Sequence, residues 1–433
     1  MAMGSTEITK ELFGGVLDVD GAGFYPGLEL LNLVLCSEGA ILPSEDSFTL
    51  TRYAHDFARR LLQDENLPEI EKRKVLIDAS SEDAVRRLLH CLELDVKNVV
   101  KVKSWEKTHF FPFTRSLVHW DARFKGGAVN KSISLERRYL RGGGALAFHI
   151  LRKDSSSERL QKIRDGFISL FPEGESTPLE SLASTLRNQG HKDAKPVKDT
   201  IEPESKLFND DLEDLYRDGV MNILSHTELP SVSRIRSIIS WTGIWIVIMQ
   251  NSRSSDALGQ KREGLIFDCA GVHGQLRRAS QRCLKDAINR VFAAASKVAL
   301  EQASKAVSKP ASKQQLGKVR GSFAATAAAV SLLNSWKGRR HLVMGLDALE
   351  TLVLACIEAE EEISFERFCM EWLYGKCGFI TGRESAQEAD LLNNFDASIF
   401  EENERRLAEQ MKATGLLTVY SDATRMISTG SLR

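Results

Sequence analysis

The sequence predicts a mainly α-helical fold with minor β structure, spread over several domains. The chain has 433 residues, which is room for two or three domains with ample core. Over long stretches its apolar residues recur three and four positions apart, as they do on one face of a helix. Its 42% hydrophobic and 27% charged residues are typical of a globular protein rather than a disordered one.

The order of polar and apolar segments predicts three domains and one linker. Residues 1–187 are expected to form a mixed α/β domain. Residues 188–206 are expected to be a linker, because they are polar and contain two prolines. A basic helical domain is predicted over 207–341 and an acidic module over 342–433. The predicted class is therefore mainly α and multi-domain, with a helical middle and a separate C-terminal module.

Two helices are predicted with particular clarity in the middle of the chain. Residues Ser233–Gln250 are almost wholly apolar, which indicates a helix at the centre of a bundle. Leu265–Phe267 is either a short strand or the entry to the next helix. That helix is predicted over 275–308, where apolar residues step by four and three: Leu284, Ile288, Val291, Ala295 and Val298.

The C-terminal module is predicted to contain three helices followed by a β-hairpin, the order of a winged helix. Ser364 is a suitable N-cap for the second helix, and Gly415 a suitable C-cap for the third. A Ser-Asp turn lies between two β-prone runs in 416–427. The third helix, 398–414, carries more acids than bases, which is unfavourable for reading a duplex. A protein-interaction or structural role is favoured for this winged-helix-like module.

Charge is distributed very unevenly along the chain. Overall, 58 Lys and Arg residues are balanced by 59 Asp and Glu residues. Residues 270–346 nevertheless hold fourteen basic residues and two acids, whereas 347–433 hold eight basic residues and seventeen acids. A basic block of this size favours binding to a phosphate backbone or an acidic partner. The acidic segment favours a protein partner or self-shielding.

Basic residues of the middle domain are the candidates for nucleic-acid binding. Three of them, Arg278, Arg282 and Lys285, share one flank of the helix predicted over 275–308, at spacings of four and three residues. There they can neutralise successive phosphates. The alternative is a solvated helix face whose charges pair with the acidic segment. The candidate residues are Arg278, Arg282, Lys285, Lys305, Lys313, Lys318, Arg320, Lys337, Arg339 and Arg340.

A second candidate for nucleic-acid binding lies in the first domain. Residues 101–125 interleave six aromatic residues with six basic ones. Aromatic rings that stack on unpaired bases, beside cations that bind phosphate, are typical of single-strand binders. In the alternative interpretation, the aromatic residues are core and the basic residues are their neighbours at the surface.

A magnesium-dependent nuclease is the enzymatic alternative. Asp78 ends a predicted short strand, and Asp95 and Lys97 follow within twenty residues. Two carboxylates and a lysine could hold a magnesium ion and orient water for attack on a phosphodiester. The intervening segment, 81–92, is predicted to be helical, whereas such nucleases usually join these strands by a tight hairpin. A non-enzymatic role without a cofactor is favoured.

The cysteines indicate neither a disulfide framework nor a metal site. There are seven, they are scattered, and no two are separated by two residues. Asp268, Cys269 and His273 place a thiol near an imidazole, but a structural role is favoured over a nucleophile. Cys269, His273 and Cys283 lack the spacing of a known zinc site. Because the first residues have no secretory pattern and 235–249 is short for a membrane span, we expect a cytoplasmic protein without a membrane partner.

A family resemblance is carried by residues 321–427. This stretch contains FAATAAAVSLLNSWKGRRH, SFERFCMEWLYGKCGFITG and NERRLAEQMKATGLL, followed by YSDATRMI. These segments resemble accessory proteins encoded in bacterial anti-phage operons, such as methylation-associated or phosphorothioation-dependent defence systems. The resemblance covers about a quarter of the chain and includes no catalytic signature. It implies a cytoplasmic bacterial protein that works beside a modification enzyme, a helicase or a nuclease.

The combined prediction is a non-enzymatic component of a bacterial antiviral defence complex linked to DNA restriction or modification. Its basic helical region would bind nucleic acid, and its acidic C-terminal module would bind another defence-system protein. Two alternatives remain open. One is a magnesium-dependent nuclease subunit, and the other is a purely structural adaptor whose two charged blocks neutralise each other.

Overall fold

The computed structural model is mainly helical with minor β structure, which confirms this part of the predicted fold class. Two compact units make up the chain: Met1–Val19 with Ser205–Arg433, and Asp20–Glu204. We call them the first and second units. The structure describes residues 4–17, 26–53, 87, 112–116, 123–125, 132–134, 143–172, 177–190, 196–201, 205–305, 311–335, 338–421 and 424–429.

Helices of the described residues are numbered in chain order. Those of the second unit are α2 to α5, and the others belong to the first unit. The helix α11 continues with π geometry over Phe368–Lys376, and a single 3₁₀ turn covers Leu391–Asn393. The helices are α1 Ser5–Phe13, α2 Pro26–Cys36, α3 Gly144–Arg152, α4 Ser157–Leu170, α5 Pro178–Gly190, α6 Asp211–Ser225, α7 Ser231–Leu258, α8 Gly274–Lys305, α9 Lys313–Ala329, α10 Leu346–Cys356, α11 Phe365–Arg367, α12 Arg383–Glu388 and α13 Ala397–Ala413.

Strands of the described residues are short and form small sheets. In the second unit β1 pairs with β4, and β2 with β3, both antiparallel. In the first unit β5 and β7 are parallel, and a three-stranded sheet has the order β6-β9-β8. The strands are β1 Phe48–Tyr53, β2 Arg123–Lys125, β3 Ser132–Ser134, β4 Pro196–Ile201, β5 Leu265–Ile266, β6 Ile363–Ser364, β7 Phe379–Ile380, β8 Leu417–Ser421 and β9 Thr424–Ile427.

The core of the first unit is built around α7, the helix predicted to lie at the centre of a bundle. It packs against α6, α8, α9 and α10. Its tryptophans Trp241 and Trp245 are fully buried. Their indole N–H groups donate to backbone carbonyls of α6, Trp241 to Tyr216 at 3.2 Å and Trp245 to Leu212 at 2.7 Å. These bonds satisfy the polar edge of each ring inside an otherwise apolar core.

By length and composition, α7 is the one helix of the described residues that could cross a membrane. Of its most apolar 18-residue window, 72% is buried inside the protein. The core helix of a bundle meets the same criteria, because it is apolar all round.

Residues 4–17 belong to the first unit, which differs from the predicted N-terminal domain 1–187. The backbone N–H of Ser5 donates to Oε1 of Gln315 in α9 at 2.9 Å. The buried Arg253 of α7 donates from Nη1 to the carbonyl of Phe13 at 2.6 Å, and its Nη2 lies 2.9 Å from a carboxylate oxygen of Asp210. A buried, paired guanidinium therefore ties the N-terminal segment to the helical bundle.

The predicted linker and the predicted boundary at 341/342 also differ from the structure. Within 188–206, residues Pro196–Ile201 form β4, which pairs along its length with β1. Residues 342–433 belong to the first unit, because α10 packs on α6 and α7 and β7 pairs with β5. For example, Nδ2 of Asn222 in α6 donates to the carbonyl of Ala355 in α10 at 2.9 Å. Polarity of sequence alone did not reveal these pairings.

The C-terminal segment follows the predicted order of three longer helical elements and a hairpin. Ser364 is the N-cap of α11, since its Oγ accepts from the N–H of Arg367 at 3.2 Å. Gly415 follows α13 with φ of 76°, a left-handed conformation that suits glycine. Between α11 and α13, however, the chain also forms β7 and α12. Both caps were predicted from local sequence and are confirmed.

In the second unit, arginines of two helices hold the loop before β1. Arg152 of α3 donates to the carbonyls of Glu45 at 2.6 Å and Asp46 at 3.1 Å. Arg164 of α4 donates to the carbonyl of Leu42 at 2.7 Å. Guanidinium groups offer several N–H donors in fixed directions, and so can bind several loop carbonyls at once.

Candidate nucleic-acid interface

The exposed face of α8 carries the three basic residues that the sequence places on one flank. The apolar stripe from Leu284 to Val298 is buried, as predicted. Arg278, Arg282 and Lys285 are exposed and, within the described part of the chain, have no hydrogen-bond or ion-pair partner. They span about 10 Å along the axis at the rise of an α-helix. This face is available to an external anion.

Other basic residues of α8 are engaged in holding the first unit together. Arg277 donates to the carbonyl of Gly271 and lies 3.6 Å from the carboxylate of Asp268. Arg290 donates to Oδ1 of Asn251 at 2.7 Å and pairs with Glu263. Lys297 donates to a carbonyl near the end of α7 at 2.7 Å. α8 therefore carries two kinds of basic residue: those that bond to other parts of the first unit, and those that have no partner among the described residues.

A cleft of about 810 Å³ opens beside the start of α8. Its cationic wall includes Lys261, Arg278 and Arg282, all exposed. The facing wall comes from the π-helical segment and from residues 389–395. Its floor is the edge of an apolar cluster that contains Ile266, Ala279 and Ile380. We call this the α8 cleft.

Two aromatic rings line the α8 cleft. Tyr374 and Phe395 are both half-buried and pack on the same apolar cluster. The Phe395 ring meets Phe400 edge-on, with centroids 6.0 Å apart and planes at 86°, which fixes its orientation. Burial, followed by the nearby carboxylates of Glu388 and Asp390, raises the pKa of Tyr374, so its hydroxyl stays neutral.

Polar groups complete the lining of the cleft. Asp286, Asp390 and Asn394 are exposed and unpartnered among the described residues. Arg262 also lines the cleft, but its guanidinium is paired with Asp256 at 2.9 Å and with a second aspartate at 3.1 Å. Burial raises the pKa of Cys283 to about 11, so this group remains a thiol and is no nucleophile at neutral pH.

A shallower groove of about 430 Å³ lies where α8 meets α9. Arg320 of α9 and Arg340 of the following loop line it, so the structure brings two predicted residues together. The Arg320 guanidinium lies 6.0 Å from the ring centroid of Phe292. Small residues form much of the rest of the lining: Gly317, Gly321, Ala324 and Ala325. A backbone or phosphate can approach closely over side chains of this size.

The remaining predicted cations are more scattered. Lys305 and Lys313 are exposed at the end of α8 and the start of α9, and Arg339 is exposed in the loop that follows α9. Lys318 is half-exposed and already has an interaction within the protein. Lys337 lies outside the described residues.

The nuclease hypothesis stays a prediction, because Asp78, Asp95 and Lys97 lie outside the described residues. Most of the aromatic and basic stretch 101–125 also lies outside the described residues. Phe113 of this stretch is described, and its side chain is buried. Within the described ranges, no group of three or more His, Cys, Asp or Glu residues is arranged to hold a metal ion.

The Asp268–Cys269–His273 segment has a structural arrangement. Burial, followed by the charge of Asp268, raises the pKa of Cys269 to about 12, so the thiol is not ionised at neutral pH. The buried Asp268 accepts from the N–H of Gly271 at 2.8 Å and lies 3.5 Å from Nε2 of His341. These contacts shape the loop that leads into α8.

Three glutamates of α13 form ion pairs within the C-terminal segment. On α13, Arg405 lies 2.6 Å from Glu402, and Arg406 lies 2.9 Å from Glu409. Glu401 pairs with Arg383 at 2.6 Å. The paired arginines of α8 contact Asp268 and Glu263 instead, which precede the acidic segment. The structural-adaptor alternative expects the basic block 270–346 to pair with the acidic block 347–433. The ion pairs named above do not join these two blocks.

Sequence reasoning missed several residues of the cleft, including Lys261, the aromatic residues Tyr374 and Phe395, and the polar residues Asp286, Asp390 and Asn394. They have no local motif, and the two aromatic residues lie 92 and 113 positions beyond Arg282 along the chain. No family model, curated protein or solved structure matches the chain. The geometry and charge of this interface are therefore what indicate a function.

Proposed function

We propose that this chain binds nucleic acid through the exposed basic face of α8, as a non-enzymatic component of a larger complex. The observation that carries the proposal is that Arg278, Arg282 and Lys285 are exposed and have no partner in the part of the chain that the structure describes, whereas Arg277 and Arg290 of the same helix form ion pairs. Cations held on a rigid helix neutralise phosphates, and release of counterions drives the association. Their span of about 10 Å matches the rise of about three nucleotides along a strand.

The groove between α8 and α9 extends this interface. Arg320 and Arg340 line it, and Arg339 is exposed next to Arg340. The neighbouring glycines and alanines leave room for a sugar–phosphate backbone close to the helices. We propose that α8 supplies the first phosphate contacts and that this groove supplies further ones.

We propose that the C-terminal segment is a winged-helix-like module that binds a protein partner. The order α10, β6, α11, α13, β8, β9, interrupted by β7 and α12 between α11 and α13, and the sheet order β6-β9-β8 support this description. Its third helix offers few unpaired cations for a duplex, because Arg405 and Arg406 are paired with Glu402 and Glu409. In its hairpin, Tyr420 is 62% exposed, which suits contact with a protein surface.

We propose a bacterial antiviral defence complex, in the cytoplasm, as the setting for this binding. Its support is the resemblance carried by residues 321–427 to accessory proteins of anti-phage operons. The first unit contains this whole stretch together with α8. The proposed role is to bind nucleic acid for a partner that modifies, unwinds or cuts it.

Equilibrium binding across a salt series tests the basic face. The variant Arg278→Ala/Arg282→Ala/Lys285→Ala is expected to bind single-stranded DNA more weakly than the unaltered protein. Because three phosphate contacts are removed, the slope of log affinity against log salt should flatten by about two. The measurement is fluorescence anisotropy with labelled single- and double-stranded DNA after nuclease treatment of the purified protein.

The matched control removes three exposed charges elsewhere. Lys162, Lys376 and Lys412 are exposed, and replacing all three by alanine changes the net charge equally. This control should keep the original slope, because nonlocal charge contributes little at physiological ionic strength. An unchanged slope in the α8 variant would exclude α8 from the interface.

A further inference from the structure

We infer that the α8 cleft holds one unstacked base of a single-stranded nucleic acid. The inference rests on the proposed function, because Arg278 and Arg282 belong both to the basic face and to the wall of the cleft. A strand whose phosphates follow α8 passes directly over this opening. The cleft volume of about 810 Å³ lies in the usual range for sites that enclose a small organic group.

The aromatic wall matches the face of a base. Phe395 and Tyr374 line the cleft with half-buried rings, and Phe400 holds the Phe395 ring edge-on. A preorganised ring loses little conformational entropy when a base stacks on it. Stacking tolerates every base, since each has a π-face. A base paired within a duplex is already stacked, and only a splayed-out base can enter such a site.

The polar groups of the cleft match the edge of a base. Asn394 can both donate and accept hydrogen bonds, and the carboxylates of Asp286 and Asp390 accept from exocyclic amino groups. All three are exposed to the cleft without a partner in the described part of the protein. A base can therefore bond to groups that no internal contact already satisfies.

Charge distribution favours a nucleotide over an acidic peptide. Lys261, Arg278 and Arg282 supply positive charge that no described residue pairs with, and Asp286 and Asp390 supply negative charge within the same cleft. An acidic peptide would bring its carboxylates close to those aspartates. A nucleotide separates its anionic phosphate from its neutral base, so its phosphate can bind the arginines while its base approaches the aspartates.

The test compares two oligonucleotides of equal length and charge. One carries cytosine, which has an exocyclic amino group, at every position, and the other has the same sugar–phosphate backbone without bases. The full-length protein is expected to bind the cytosine oligonucleotide at least about fivefold more tightly, as stacking of one base implies. In Phe395→Leu this preference should be lost, while the slope against salt stays that of the unaltered protein.

Two further variants make the result decisive. Tyr374→Leu removes the second ring from a different element, so a folding defect in one variant leaves the other informative. Phe208→Leu removes an exposed aromatic residue that precedes α6, outside the cleft lining, and should keep the full preference. Urea unfolding of each variant establishes that it is folded.

The outcomes separate the two proposals. Equal affinity of the unaltered protein for both oligonucleotides, or an unchanged preference in folded Phe395→Leu and Tyr374→Leu, would overturn the base-binding cleft. If the triple α8 variant still flattened the salt slope, phosphate binding would stand. If neither oligonucleotide bound, both proposals would be overturned.

Discussion

Asn403 shows how one residue positions the interface. Its side chain is fully buried, and Oδ1 accepts from the N–H groups of Cys269 at 2.8 Å and Ala270 at 3.0 Å. Its Nδ2 donates to the carbonyls of Phe267 at 3.0 Å and Thr381 at 2.7 Å. The side-chain amide of one residue on α13 thus forms hydrogen bonds with backbone groups of the loop before α8 and of the end of β7. The direction in which α8 leaves that loop depends on this amide.

Replacing Asn403 by alanine is expected to lower the free energy of unfolding by at least about 3 kcal/mol. The change leaves two buried N–H groups and two carbonyls without this partner, and each unsatisfied group costs ~1–3 kcal/mol. Urea unfolding followed by circular dichroism measures the loss. Asn393→Ala, at an exposed position, is the control and should change stability by less than about 0.5 kcal/mol. A similarly small loss for Asn403→Ala would contradict this role.

Residues whose partners are local could be predicted at this scale, and others could not. Ser364 and Gly415 were predicted as helix caps because a cap bonds to backbone groups within a few positions. Asn403 was missed because its partners Cys269 and Phe267 lie 134 and 136 positions away. A polar residue within an amphipathic helix gives no local sign that it will be buried.

At the scale of elements, α6 and α7 cross where a glycine faces a tryptophan. A Cβ atom on Gly219 would lie 2.3 Å from a ring atom of Trp241. The ring is held by its bond to the carbonyl of Tyr216 and by stacking on Trp372, with centroids 5.9 Å apart. Close packing of the two helices therefore requires the absence of a side chain at 219.

Alanine in place of Gly219 is expected to destabilise the protein by about 1–3 kcal/mol, because overpacking outweighs the gain in helix propensity. In α9, Gly321→Ala is expected to stabilise by about 0.5–1 kcal/mol, since a Cβ there has no atom within 4 Å. Both glycines lie within helices, so both variants gain the same helix propensity. The difference between their free energies of unfolding therefore reports the effect of packing. Thermal and urea unfolding measure the two changes, and equal signs would contradict the packing argument.

Long helices were predicted well, and the smallest strands were not. The apolar stripe of α8 is confirmed because a period of 3.6 residues is visible over its length. For Leu265–Phe267 the sequence did not distinguish a strand from the entry to a helix. The reason is that β5 has only two residues and is defined by its pairing with Phe379–Ile380. Pairing over more than one hundred positions leaves no local pattern.

At the scale of the whole molecule, the C-terminal segment completes the core of the first unit. The buried face of α10 contains Leu349, Leu352 and Val353 and packs on α6 and α7. His226, which follows α6, bonds to the carbonyl of Ile357 at 3.0 Å. Residues 342–433 therefore depend on 205–341 for the burial of their apolar surface.

We expect a fragment of residues 342–433 to lack a cooperative unfolding transition and to bind hydrophobic dyes. Its apolar helices lose the partners that bury them, and small fragments have little other core to compensate. Circular dichroism during heating and dye fluorescence measure both properties. The full-length chain is the control, and its first unit should unfold cooperatively. A sharp transition in 342–433 alone would mean that it folds as a separate domain.

The sequence by itself determined the helical class, the central apolar helix, the caps and the basic flank of α8. Each follows from periodicity, capping or charge within one segment, and such local physics acts wherever the segment lies. Only the tertiary structure decided which cations remain free, because Arg277 and Arg290 have side-chain partners outside α8, whereas Arg278 and Arg282 have none among the described residues. It also brought Phe395 beside them. Long-range packing selects such neighbours by shape and burial, and neither is written in the spacing of residues along the chain.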